Sequence, residues 1–126
     1  MSGERPTVIL RDCREYDVQR IRSIVRDGLE RLNLQPAGNT LIKPNVVASG
    51  ARFPHAYTRP EFTEGVALAL RDCDQGRMKA LQIGERCGIT IPTRFAFSQA
   101  GYPAMAERVG AELLHFEEQP QVEIPL

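Results

Sequence analysis

Lys43-Pro44-Asn45 follows directly on the apolar run Thr40-Leu41-Ile42. An ammonium is a compact charge for a phosphate or carboxylate, an amide both donates and accepts hydrogen bonds, and a proline between them stiffens the turn. Set where a strand runs out, the three residues stand where open α/β sheets bind ligands. The chemistry they suggest is capture of a small anionic molecule or cofactor, with Lys43 neutralising charge and Asn45 orienting the bound group.

Other residues join these if parallel strands deliver their C-terminal ends to one rim. Asp12 and Cys13 leave a first apolar run, Glu85 and Cys87 leave a third, and His115 with Glu117 ends a fourth. The catalytic candidates are Lys43, Glu85 and Asp12, the two carboxylates as proton-handling groups. The ligand-binding set is Lys43, Asn45, Thr58, Gly84 and Glu85. The segment Gly84-Glu85-Arg86-Cys87-Gly88 offers backbone amides to an anion but matches neither a P-loop nor a dinucleotide fingerprint. Cys13 and Cys87 would form a redox pair or soft-metal half-site only if the fold brought them together, and free cysteine is more often a small buried hydrophobe. His55 lies in a long polar loop and could serve as an acid or base, whereas His115 reads as structural within an apolar strand.

The elements that must position these residues show as changes of apolar period. Thr7-Val8-Ile9-Leu10 reads as a first strand, and Val18, Ile21, Ile24, Val25, Leu29 and Leu32 form one stripe of a helix. Leu41-Ile42 makes a second strand. Thr58-Arg59-Pro60-Glu61 announces the next helix, with threonine as cap and glutamate reaching back. Met78 to Ile83 is a third strand, closed by Gly84-Glu85. Thr93 to Ala100 and a segment opened by Pro103 are helical, and Glu112 to Phe116 is a fourth strand. The tail Gln119 to Leu126, with its prolines, holds at most one short edge strand. Strands alternating with helices predict an α/β fold: three layers, a mostly parallel sheet of four to five strands with helices on both faces, Rossmann-like or flavodoxin-like, in the order 2-1-3-4.

The chain has 126 residues, the size of one domain, with a core large enough to fold without disulfides or metal. Sixteen basic and sixteen acidic residues cancel, which removes the long-range field of a nucleic-acid or membrane-surface binder. Neither an apolar signal core in the first residues nor a membrane-length apolar stretch is evident, so a cytoplasmic protein is expected. Three cysteines with no C-x-x-C pair argue for reduced thiols and against a self-contained iron-sulfur or zinc site.

Leu41-Ile42-Lys43-Pro44-Asn45, Thr58-x-Pro60-Glu61, Ile83-Gly84-Glu85, Phe97-x-x-x-Gly101-Tyr102 and Gly110-Ala111-Glu112-Leu113-Leu114 together resemble the family called domain of unknown function 362. The resemblance runs over nearly all of the chain and corresponds to the N-terminal part of the family domain. That domain normally continues into a second lysine- and histidine-bearing segment, so the chain is expected to be either a short member or a piece of a longer protein. The resemblance implies association with ferredoxin-type 4Fe-4S proteins and a redox link, while the chain itself carries no iron-sulfur ligand set. Two functional readings follow. One is an enzyme or enzyme half with an anion site at the rim. The other is a non-catalytic module that docks on a redox protein or on another copy of itself.

Overall fold

Asp17 opens the first helix by accepting the Arg20 backbone N–H on its side chain at 2.9 Å, satisfying one of the amides that a helix start leaves without a partner. The structure, a computed structural model, describes residues 5–88 and 90–125. Within them run α1 (Val18–Arg31), β1 (Gly38–Ile42), α2 (Pro60–Cys73), β2 (Met78–Glu85), α3 (Thr93–Ala100), α4 (Tyr102–Val109), β3 (Glu112–His115) and a short 3-10 turn, Phe116–Glu118. The reading of Met1 to Glu4 as free of a signal core, and the last residue of the tail, fall outside the described residues.

The sheet has three strands in the order β1-β2-β3, and both pairings are parallel. Thr40 and Ile42 lie opposite Leu81 and Ile83, and Ile83 opposite Leu113, so one face of the sheet gathers these apolar side chains. That face meets Ala67 of α2, Ala96 and Phe97 of α3, and Tyr102, Met105 and Val109 of α4. Phe97 and Tyr102 stack with ring centroids 4.7 Å apart at the centre. Burying a side chain such as Ile83 fully contributes about 2 kcal/mol. Gly101 and Gly110, at φ of 85° and 64°, end α3 and α4 in the left-handed conformation that a β-carbon disfavours.

Three expectations need correction. Thr7–Leu10 forms no strand: Val8 and Leu10 are 76% and 83% exposed. Arg11, paired with Asp27 of α1 at 2.7 Å, and Arg20, donating to the Asp12 carbonyl, hold the following residues on the helix instead. The sheet therefore has three strands among the described residues, not four to five, and the expected second, third and fourth strands follow one another in place of the 2-1-3-4 order. Every step across the sheet goes the same way, so right-handed crossovers put α2 and the α3–α4 pair on one face. Among the described residues, α2, α3 and α4 thus share one core with the sheet. No reversal of strand order, and hence no switch point of the Rossmann or flavodoxin kind, occurs within these strands.

At the start of α2 the helix begins at Pro60 and Arg59 holds the capping position without a side-chain bond. The Thr58 hydroxyl, expected to cap, donates to the Asn45 carbonyl at 3.2 Å. The tail 119–125 adds no strand.

Candidate functional site

Lys43 and Glu85 leave the C-terminal ends of neighbouring parallel strands, Ile42 opposite Ile83, and their side chains meet. The Lys43 ammonium straddles the carboxylate, 3.0 Å from Glu85 Oε1 and 3.1 Å from Oε2. The Val46 N–H donates to Oε2 at 3.1 Å and the Arg86 N–H to Oε1 at 2.8 Å. A buried carboxylate needs such donors, since losing water without them is costly. Glu85 is 5% exposed along its side chain and Lys43 56%. The arrangement thus fixes a cation at the rim from below and leaves its outer side in water.

The loop after β1 is shaped by the same short stretch of sequence. Pro44 is buried, Asn45 is exposed, and the Asn45 carbonyl accepts both the backbone N–H of Thr58, at 2.8 Å, and its hydroxyl. Val46 and Tyr57 form an antiparallel bridge just inside that contact. Farther out, the Ser49 hydroxyl donates to the Ala96 carbonyl at 2.7 Å and the Gly88 N–H to the Val47 carbonyl at 3.2 Å, tying the loop to α3 and to the turn after β2.

Lys43, Asn45, Thr58 and Glu85 therefore share one rim. Gly84 is next to them in sequence, but its open side is covered: a β-carbon there would collide with the Phe116 ring. Asp12 is exposed in the segment before α1, 3.2 Å from Arg14. Cys13 donates to the Glu15 carbonyl and lines a cavity with Ile21 and Phe62, whereas Cys87 is buried in the core beside Thr93. The two thiols line different cavities, and no group of three or more His, Cys, Asp or Glu side chains able to hold a metal occurs among the described residues. His55 is exposed in the loop. His115 is buried, its ring 5.7 Å from that of Phe97 and its Nδ1 3.5 Å from Glu118.

The rim continues into a second cluster that the sequence pattern did not single out. Glu117 accepts the backbone N–H of Thr93 at 2.7 Å and its hydroxyl at 2.9 Å, so a carboxylate from the end of β3 caps the start of α3. Thr93 Oγ1 in turn accepts the Cys87 N–H at 2.9 Å. Burial works to raise the Glu117 carboxyl, but the Thr93 donors outweigh it and hold the group below its ordinary range. Burial pushes the Cys87 thiol up, against the pull of Thr93, so it rests protonated and poorly nucleophilic. The helix from Thr93 to Ala100 was legible; the acid that satisfies its start, 24 residues on, has no local signal.

Tyr102 is the third feature. Its hydroxyl donates to the Thr58 carbonyl at 2.8 Å and accepts from the Thr63 hydroxyl at 3.1 Å, linking the loop to α2 and α4. Burial, opposed by Thr63, pushes the phenol up to about 12.

No curated protein and no solved structure matches this chain. A family model described as "Domain of unknown function (DUF362)" matches residues 40–126. The match starts within β1 and takes in the whole Lys43–Glu85 rim, the Thr93–Glu117 cap and Tyr102, while Thr7–Leu10 and α1 precede it. No helix among the described residues is long and apolar enough to cross a membrane. With Lys43, Asn45, Thr58 and Glu85 on one rim and the matched segment covering well over half of its length, the chain belongs to the DUF362 family.

Proposed function

We propose that the C-terminal rim of the sheet binds a small anionic ligand or cofactor through Lys43. One observation carries this reading: the buried Glu85 carboxylate, already satisfied by two backbone amides, holds the ammonium in place while the Lys43 side chain stays half exposed. An ammonium has three N–H donors, and those not turned to Glu85 face outward. Asn45 is the neighbouring group that can orient the ligand, and Thr58 fixes the loop that carries it. Glu85 acts in this reading as a positioning residue and not as an acid or base. Any redox connection would come from a partner that supplies electrons to the bound molecule.

Titration with inorganic phosphate and with short dicarboxylates, read by thermal shift and by amide chemical shifts, tests the reading. Perturbations centred on residues 43–46 and 85–86, lost in Lys43→Ala, are the expected result. A response that is the same in Lys43→Ala, or no response to either class of anion, overturns it.

The second reading, a module for assembly with a redox protein or a second copy, draws on the outer edges of β1 and β3, unpaired among the described residues, together with exposed Leu41, Val47 and Phe53. Uncovered edges beside apolar side chains are sites of pairing. Sedimentation velocity over a concentration series tests the second-copy form of this reading, since only it requires the chain alone to change mass.

A further inference from the structure

α1 stands where the crossover helix of a further βα unit belongs. Arg59 stacks over the Tyr16 ring where both helices begin, Ile21 lies against Gly65, and Leu29 and Glu30 line one cavity with Asp72 and Cys73 where both end, so α1 and α2 run side by side in the same direction. α2 crosses back between two parallel strands, and α1 therefore points back too. Ahead of α1 lies an uncharged, β-branched run, Thr7-Val8-Ile9-Leu10, with both Val8 and Leu10 almost fully in water. Beside it, the outer edge of β1 has no partner among the described residues, and Leu41 on that strand is 48% exposed. On α1, a cavity of 510 Å³ is lined by Ile21, Ile24, Val25 and Phe62 together with Arg11 and Cys13 to Tyr16.

We propose that Thr7–Leu10 is a strap that closes on the outer edge of β1 in the same chain, as a fourth parallel strand. A right-handed crossover through α1 places it on that edge and on no other. Charge fixes the register. With Thr7 beside Gly38, Leu10 falls beside Leu41 and Asp12 beside Lys43, which pairs the two exposed leucines and sets a carboxylate next to the ammonium at the rim; Ile9 then joins Thr40 and Ile42 on the buried face. What holds the strap away is weak. The Arg11–Asp27 pair and the Arg20 bond to the Asp12 carbonyl, which tie the segment to α1, are exposed, and such contacts hold little against the pairing of a strand. Closure moves Asp12 from solvent to the side of Lys43, where its carboxylate competes with a bound anion for the ammonium.

A disulfide trap tests this. Neighbouring parallel strands lie roughly 4.8 Å apart, within the Cα range that a disulfide spans. In a Cys13→Ser background, Leu10→Cys with Leu41→Cys, incubated in a glutathione redox buffer, is expected to form an intramolecular bond about tenfold faster than the control pair Leu10→Cys with Leu114→Cys, because held neighbours react at a raised effective concentration. Equal rates in the two pairs, no bond, or a disulfide-linked dimer overturns the proposal. Hydrogen exchange on the otherwise unaltered chain reads the same closure without cysteines. Leu10→Pro is expected to speed exchange of the β1 amides that face away from β2, and unchanged exchange there overturns it.

Discussion

The Glu117 carboxylate grips Thr93 twice, through its backbone N–H and through its hydroxyl, and so fastens the end of β3 to the first turn of α3. Pro92, which precedes the helix, has no side-chain bond to offer, and the carboxylate takes over its part. Glu117→Gln keeps the size and loses the charge at the positive end of the helix. A loss of about 1 kcal/mol is expected in urea unfolding, the usual scale for a helix cap.

The same contact sets an acid dependence. The folded-state value of Glu117 is depressed, so its contribution is present above the ordinary value of 4.5 and fades as pH falls through the lower folded value. Stability measured downward from pH 5 should therefore fall less steeply in Glu117→Gln than in the unaltered chain. Equal slopes would show that the cap does not form.

Glu85 and Lys43 should respond unequally to substitution. Removing the carboxylate with Glu85→Ala strands the Val46 and Arg86 amides inside the protein, at an expected cost of roughly 3 kcal/mol. Lys43→Met removes a donor that is half in water and should cost only about 1 kcal/mol. Denaturant midpoints of the two variants give the comparison, and a larger loss at Lys43 would contradict the assignment of Glu85 as the anchor.

Gly84→Ala drives a methyl group into the Phe116 ring, and overpacking of this kind costs about 1–3 kcal/mol. Shrinking the ring should relieve it. In the double variant Gly84→Ala with Phe116→Leu the two losses are expected to fall short of their sum, a coupling that a double-mutant cycle by calorimetry or urea reads directly.

Tyr102→Phe leaves the stacked ring on Phe97 and deletes only the hydroxyl bonds to Thr58 and Thr63, for a loss of about 1–2 kcal/mol. Because the folded phenol is raised from 10.0 to about 12, its share of stability is intact below pH 10 and drains away as pH climbs through 12. Spectrophotometric titration should find one of the three tyrosines ionising late, and Phe at 102 should abolish that late step.

What sequence reading delivered was whatever repeats locally. The stripe of α1, the proline-led start of α2 and the parallel alternation of strand and helix are set by neighbours within a few turns, and each is present. Lys43 and Glu85 were placed on one rim because parallel strands leave no other arrangement, and they are in contact. The failures were long-range. Thr7–Leu10 has the composition of a strand, but composition does not say that Arg11 and Arg20 will hold its sequel on α1. Phe116 over Gly84 and Glu117 under Thr93 depend on where β3 ends relative to other elements, which no spacing in the sequence encodes.

Of the three thiols, Cys13 alone is exposed, while burial raises both Cys73 and Cys87. A maleimide dye added at neutral pH should therefore label the chain at a single position without any engineering. That position lies just past the strap, so the dye's fluorescence anisotropy would follow the closing of the amino-terminal segment in real time.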